Sequence, residues 1–329
     1  MLGHMNYPTL PVAGKDYPRT YQEFLTWFPD EMACRQYLAR CRWPHGFVCL
    51  HCGDHSAPWL TSRGYRHCRR CEHEVSIIAG TIFERTRLPL TTWFATIWFV
   101  TSQKDGASAL GLQRVLGLSS YHTAWTCLQK LRCAMVRPDR DQLQGHIEVD
   151  ETYMGGQDVG GKRGRGSGGK QIVVIAVEVQ EPKGFGRVRM RQIVDVSGDS
   201  LIPFICDVAE PGALILTDGW KGYNSLSQRG FGHEKRVISD TGDPAHISMP
   251  GVHRVAALVK RWLMSTHQGA VSGKYLEYYL DEYTFRFNRR NSRSRGMLFY
   301  RLIEQAVSTA PMPYKQIIQG TTTGSGHLR

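Results

Sequence analysis

The chain has 329 residues, 41% of them hydrophobic, which is enough for two or three domains with real cores and excludes a disordered polymer. Lys and Arg outnumber Asp and Glu by 41 to 29, a formal charge of +12 that points to a polyanionic partner, nucleic acid above all. No apolar run reaches the ~18 residues of a membrane span, the longest being Trp93 to Val100, and the start of the chain lacks a signal-peptide core.

Thr20-Tyr-Gln-Glu23 reads as a capping box that opens a short helix. Pro29 and Asp30 break it and start a second, with Ala33, Tyr37, Leu38 and Cys41 on its apolar side. Cys34 and Cys41 read as small buried hydrophobes. The chain has nine cysteines, and four lie in two C-x-x-C pairs, Cys49-Leu-His-Cys52 and Cys68-Arg-Arg-Cys71. Four thiolates at this spacing suit a tetrahedral Zn2+ and fit a reducing cytoplasm better than a disulfide framework. The insert between the knuckles is too small for a core of its own, so metal binding should drive its folding. His51, His55, His67 and His73 are nearby rivals, read as facing solvent or packing. Arg63, Arg66, Arg69 and Arg70 make the ribbon basic; a DNA contact and a solvated face both fit them.

Gly80 to Pro89 is turn-like, and Thr91 or Thr92 is the expected cap of a helix through Val100. Ala107 to Leu116, Gly117, and a helix from Ser119 or Ser120 to Met135 look like a helix-turn-helix, with a plain helical hairpin as the rival. Ala124, Leu128, Leu131 and Met135 recur at helical spacing and should face inward, leaving Tyr121, His122, Gln129, Lys130 and Arg132 for a DNA groove.

His146 to Met154 alternates as a strand does, so Glu148 and Asp150 share one face and Glu151 takes the other. The Gly-rich run from Gly155 to Lys170 follows; its Lys162, Arg163 and Arg165 fit flexible backbone-phosphate contact, its composition equally fits a disordered insertion, and it has no Walker spacing. Strands are expected at 172–179, 188–196 and 213–218, and helices at 201–208, 220–228, 252–264 and 275–287. The last helix leads into the basic cluster Arg286, Arg289, Arg290, Arg293 and Arg295. Two strands therefore end in an aspartate, Asp150 and Asp218. The helix after them carries His253 and Lys260 seven residues apart, on one face. Paired carboxylates suit Mg2+ or Mn2+ in a phosphoryl displacement, and a lysine beside them can hold a phosphate.

These motifs resemble those of the ISXO-type insertion-sequence transposases, a zinc-ribbon branch of the DDE superfamily. The resemblance is carried by the double C-x-x-C followed by Ala79-Gly-Thr-Ile-Phe83, by Val149 to Gly156, by Thr217-Asp-Gly-Trp220, by Leu258-Val-Lys-Arg261, and by Asp281 to Arg290. It runs from about Tyr21 to about Val307. It implies an α/β fold: a ribonuclease-H-like catalytic domain preceded by a zinc ribbon and a helical, helix-turn-helix-like DNA-binding region. The expected division is an N-terminal helical segment at 1–45, the ribbon at 46–80, the helical region at 81–140, the catalytic domain at 141–310 and a tail at 311–329.

The family resemblance further implies metal-dependent cleavage at transposon ends and strand transfer into target DNA. Asp150 and Asp218 match its two aspartates. Much of the family has Asn or Glu in the third segment; aligned on Lys260, the Glu position is His253 and the Asn position is Pro250, so the chain is similar to the variant with His as third member. Glu234, Asp240 and Asp243 are the rival third ligands. Implied partners are double-stranded DNA, as terminal inverted repeats and target, and a second copy in a homodimer or larger synaptic assembly, in the bacterial cytoplasm at the nucleoid and away from membranes. From charge and position along the chain, the expected DNA contacts are Arg63, Arg69, Arg70, Lys130, Arg132, Lys162, Arg163, Arg165, Lys260, Arg261, Arg289 and Arg290. Two other functions compete: a DNA-binding regulator with a decayed catalytic domain, against which both aspartates and Lys260 speak, and a zinc hydrolase, which lacks an H-E-x-x-H set.

Overall fold

The structure, a computed structural model, describes residues 10–137, 140–155, 170–180, 184–236, 248–269 and 271–320. The chain divides into two compact units, one of Met1–Ala134 with Ser292–Pro313 and one of Met135–Asn291 with Tyr314–Arg329.

In the first unit, α1 (Tyr21–Trp27) is capped by the Thr20 hydroxyl, which accepts from the Glu23 N–H at 3.2 Å. The Asp30 carboxylate caps α2 (Glu31–Arg42) through the Ala33 N–H at 2.9 Å. A three-stranded antiparallel ribbon follows: β1 (Trp59–Leu60), β2 (Arg66–His67) and β3 (Glu74–Val75). Helix α3 spans Leu90–Ser102 and starts directly after Pro89 with no local side-chain cap, in place of the expected Thr91 or Thr92. Its Thr91 N–H goes instead to the Glu31 carboxylate of α2 at 3.3 Å, a partner supplied by tertiary packing.

Helix α4 (Ala109–Leu116) ends on Gly117 at φ +61°, a left-handed conformation that favours glycine. Ser120 then caps α5 (Tyr121–Ala134) by accepting from the Thr123 N–H at 3.1 Å. The returning helix Arg295–Ser308, α9 in chain order, packs on α2, α3 and α5. Its Phe299 is fully buried, with ring centroids 5.6 Å from Phe24, Phe28 and Trp98 and 5.8 Å from Phe94.

The second unit is built on a five-stranded mixed sheet of order β6-β5-β4-β7-β8. Central β4 (His146–Met154) runs antiparallel to β5 (Gln171–Val179), which pairs antiparallel with β6 (Phe185–Ile193). On its other side β4 runs parallel to β7 (Leu214–Thr217), and β7 parallel to β8 (Gly232–Lys235). Ile147, Val149, Val174 and Ile215 pack on one face with α6 (Gly198–Val208). Val173, Ile175 and Val177 pack on the other with α7 (Pro250–His267) and α8 (Leu276–Phe287). Burial on both faces explains why β5 is continuously apolar. A short α10 (Tyr314–Gln319) completes this unit.

The segment 220–228, expected as a helix, is two 3-10 turns at Lys221–Tyr223 and Ser227–Arg229. Gly222 and the polar run Asn224, Ser225 and Ser227 are weak helix formers. The backbone also presses close: a Cβ on Gly222 would lie 2.8 Å from the Val196 carbonyl oxygen.

Candidate active site and metal centre

The ribbon is two equivalent knuckles. Cys49 N–H donates to the Asp54 carbonyl at 2.9 Å and Gly53 N–H to the Cys49 carbonyl at 2.9 Å; Cys68 N–H to His73 and Glu72 N–H to Cys68 repeat the pattern at 3.0 Å each. Gly53 and Glu72 take the left-handed conformation that this loop needs, at φ +71° and +58°. Cys49 Sγ lies 3.6 Å from Cys71 Sγ and Cys52 Sγ 3.6 Å from Cys68 Sγ, with all four sulfurs within 4.8 Å of one another. Corners of a tetrahedron with metal–sulfur bonds of about 2.3 Å are about 3.8 Å apart, so the set fits a metal ion. Backbone N–H groups, that of Cys52 foremost, hold the Cys49 thiol down to about 7, favouring the thiolate that a metal binds. Apart from the cysteines, the buried residues here are Phe47 and Val75, with Trp43 packed beside them, a core too small to hold the ribbon unaided.

In the second unit β4 and β7 place the two aspartates. Glu148 is in register with Leu216 across the parallel pair, and continuing that register two residues brings Asp150, the fifth of nine residues in β4 and not its last as the sequence suggested, level with Asp218, just past the carboxyl end of β7. Ligand sites of open mixed sheets form at such ends. Each carboxylate is fixed by a local amide: Asp150 Oδ1 accepts from the Glu151 N–H at 2.9 Å, and Asp218 Oδ1 from the Trp220 N–H at 2.9 Å. On the opposite face of β4, Glu151 accepts from the Tyr223 hydroxyl at 2.9 Å. Burial, and then the charges of Glu151, Asp150 and Asp218, push that hydroxyl well above its usual range.

The first turn of α7 faces Asp150. His253 Nε2 lies 3.9 Å from Asp150 Oδ2, and both side chains keep partial access to solvent, at 33% and 20% exposure. Lys260 is exposed; partial desolvation lowers its ammonium, and the Asp150 charge, near enough to act on it, opposes that shift. The start of α7 is held by Glu148, which is 1% exposed and accepts from the Val252 N–H at 2.8 Å. Burial raises the Glu148 carboxyl, against the backbone N–H groups of Val252 and Gly251 that favour its charged form. Glu148 has no assigned role in the sequence; the available signal is its place two residues before Asp150 on the same strand face.

Two hard carboxylates and an imidazole are donors that suit Mn2+ or Mg2+. The 3.9 Å between Asp150 and His253 is less than twice a metal–donor distance of about 2.1 Å, so one ion can touch both. Among the described residues the four cysteines are the group of such ligands already gathered at close range; Asp150, Asp218 and His253 are not drawn in as tightly. Of the rival third ligands, Glu234 is on β8 in an ion pair with Arg236 at 2.9 Å, while Asp240 and Asp243 lie outside the described residues.

The expected DNA contacts fall into groups. Arg69, Arg70 and Arg261 are exposed. Arg63 is exposed too, and pairs with Glu74 at 2.9 Å. Lys162, Arg163 and Arg165 lie outside the described residues. Arg132, expected on an outer face of α5, is instead 1% exposed, and Gln129 is fully buried, because α9 packs on that helix as well. Lys130 is half-buried, its Nζ donating to the Ile82 carbonyl at 3.2 Å. The exposed part of α5 is its beginning, Tyr121 and His122. Arg290 donates to the carbonyls of Gly186 at 3.1 Å and Phe287 at 2.9 Å, and to that of Phe185. Arg289 stacks on the Phe285 ring, 4.0 Å from its centroid. Both guanidiniums thus have structural partners.

The model of the ISXO2-like transposase domain matches residues 142–288, and that of the transposase zinc-ribbon domain matches residues 29–74. An uncharacterized protein in transposable element ISH50 of Halobacterium salinarum is 25% identical over 270 residues, covering 76% of this chain and 89% of that protein. Among the described residues no helix is long and apolar enough to cross a membrane. With a ribbon able to hold a metal, a sheet that sets two aspartates level on neighbouring strands, and both models matched in order along one chain, the protein carries a transposase zinc-ribbon domain followed by an ISXO2-like transposase domain.

Proposed function

We propose that the protein binds the ends of an insertion sequence, cleaves the DNA strand there, and joins the freed 3′-hydroxyl to target DNA, with Asp150, Asp218 and His253 as the ion-holding residues. The observation that carries this reading is the convergence of the central strand, the end of its parallel neighbour and a helix start: Asp150 level with Asp218 and 3.9 Å from His253. Bound Mg2+ or Mn2+ would stabilise the attacking and leaving oxygens of an in-line displacement. Lys260, on the same helix as His253, is suited to hold a DNA phosphate as a point charge. The mixed sheet, with its acids on adjacent parallel strands and helices on both faces, supports a ribonuclease-H-like catalytic fold.

The four cysteines would hold a structural Zn2+. The ribbon's exposed Arg63, Arg69 and Arg70 and the exposed start of α5 are suited to the terminal inverted repeats; helix, left-handed Gly117 and helix support a helix-turn-helix-like reading there. Two ends must be brought together, which favours a homodimer or larger synaptic assembly, acting on DNA in the cytoplasm. The test is a cleavage assay on duplex DNA carrying the element's own ends, with and without Mn2+ or Mg2+. Ion-dependent nicking at the end is the expected result. Tight end binding with no cleavage under any ion would instead indicate a DNA-binding regulator.

A further inference from the structure

Helix α7 starts without a cap of its own. Met249 makes no capping hydrogen bond, and Pro250 at the first position has no N–H to give. The free donors at this end are the amides of Gly251 and Val252. The Val252 amide donates to the Glu148 carboxylate on β4 at 2.8 Å, and the Gly251 amide lies close enough to favour the charged form of the same group. The fit is tight. A Cβ on Gly251 would lie 2.9 Å from Glu148 Oε2 and 3.0 Å from the Phe185 ring, so only glycine lets the helix come this close. Arg236, after β8, donates to the Ser248 carbonyl at 3.0 Å and steadies the approach to the helix. Glu148 is also one strand repeat from Asp150, on the same face. His253 follows Val252 directly.

From this geometry we infer that Glu148 is the positioning residue of the active site, pinning the first turn of α7 to β4 and so setting His253 against Asp150. The inference rests on the reading of His253 as a site residue. A buried carboxylate is an unusual choice for a strand interior; here it accepts from a helix-start amide that would otherwise be orphaned. It joins the strand that carries one donor to the helix that carries another. Misplacing a reacting group by about 1 Å can cost about a hundredfold in rate.

The experiment compares full-length wild type, Glu148→Gln, Glu148→Ala, Gly251→Ala and His253→Ala. Three readouts are taken: amide hydrogen exchange over 248–256, Mn2+ binding without DNA, and cleavage of an end substrate. Glu148→Ala should speed exchange in this segment about tenfold or more. It should also weaken Mn2+ binding and lower cleavage about a hundredfold. Glu148→Gln keeps one acceptor oxygen and should recover a clear part of all three. Gly251→Ala keeps the carboxylate but crowds it, and should fall between the two; it and Glu148→Gln carry the test if Glu148→Ala does not fold. Wild-type exchange in Glu148→Ala would overturn the inference. Lost Mn2+ binding with unchanged exchange would also overturn it, marking Glu148 as a ligand and not an anchor. Faster exchange in Glu148→Ala together with wild-type cleavage by His253→Ala would uphold the anchor and remove His253 from the site.

Discussion

Asp150 Oδ2 and His253 Nε2 face each other at 3.9 Å, one on the central strand and the other on the first turn of α7. The distance is beyond a hydrogen bond and within the reach of one shared ion. Imidazole is the softer donor of the two. Mn2+ accepts it more readily than Mg2+ does.

Mn2+ should therefore support cleavage better than Mg2+ in the wild type. His253→Ala should lower cleavage by about a hundredfold or more, since even outer-shell changes at metal sites cost about 10–100-fold. His253→Glu restores an oxygen donor and should move the Mn2+/Mg2+ rate ratio towards Mg2+. An unchanged ratio in His253→Glu with a shifted one in Glu234→Ala would assign the third ligand to Glu234.

Serine in place of any one of Cys49, Cys52, Cys68 and Cys71 should loosen the ribbon. The zinc content of freshly purified protein should drop from about one per chain, four thiolates being one tetrahedral set. Unfolding of the second unit should keep its midpoint, because its clusters include none of these residues. Metal analysis and calorimetry on the same samples check both halves.

Buried and exposed arginines should separate cleanly. Arg132→Ala should destabilise the first unit by about 2 kcal/mol or more, whereas Arg69→Ala and Arg70→Ala should stay within about 0.5 kcal/mol. The surface pair should instead flatten the salt dependence of end binding, by about one unit of log-log slope per lost phosphate contact. Denaturant melts and binding at several salt concentrations give the two numbers.

Glu178 on β5 is buried and pairs with the half-buried Arg187, whose Nη2 lies 2.8 Å away. Burial alone would raise the carboxyl, but the hydrogen bonds from Arg187 and Gln144 outweigh it and hold the group below its usual range. The pair's stabilisation should be complete above the unfolded value, about 4.3, and fade as pH falls through the lower folded one. The melting temperature of wild type should exceed that of Glu178→Gln at pH 7, and the gap should shrink at pH 3.

The sequence makes the strands of this site legible because alternation has a period of two and Asp218 ends an apolar run; that β4 continues past Asp150 to Met154 follows from its pairing with β5. The cysteine knuckles are equally plain, since their spacing is itself the geometry. What escapes is long-range. The start of α7 is held by Glu148, 104 residues away, and no local cap marks it. Arg132 and Gln129 read as an outer face of α5 because α9, which also packs on that helix, comes from the far end of the chain. Arg290 reads as a DNA contact because a basic cluster says nothing of nearby strand carbonyls. The 220–228 turns follow weak helix formers packed closely against their neighbours, a balance that periodicity does not weigh.

The most direct test of the account is single-turnover cleavage of an end substrate by Asp150→Asn and Asp218→Asn, each with DNA affinity measured in parallel. The amide keeps the volume and removes the charge that would hold the ion. Both variants should bind the ends within about twofold of wild type, 0.4 kcal/mol or less, and show no cleavage in Mn2+ or Mg2+. Cleavage near the wild-type rate by either variant would contradict the assignment of that aspartate and, with it, the proposed site.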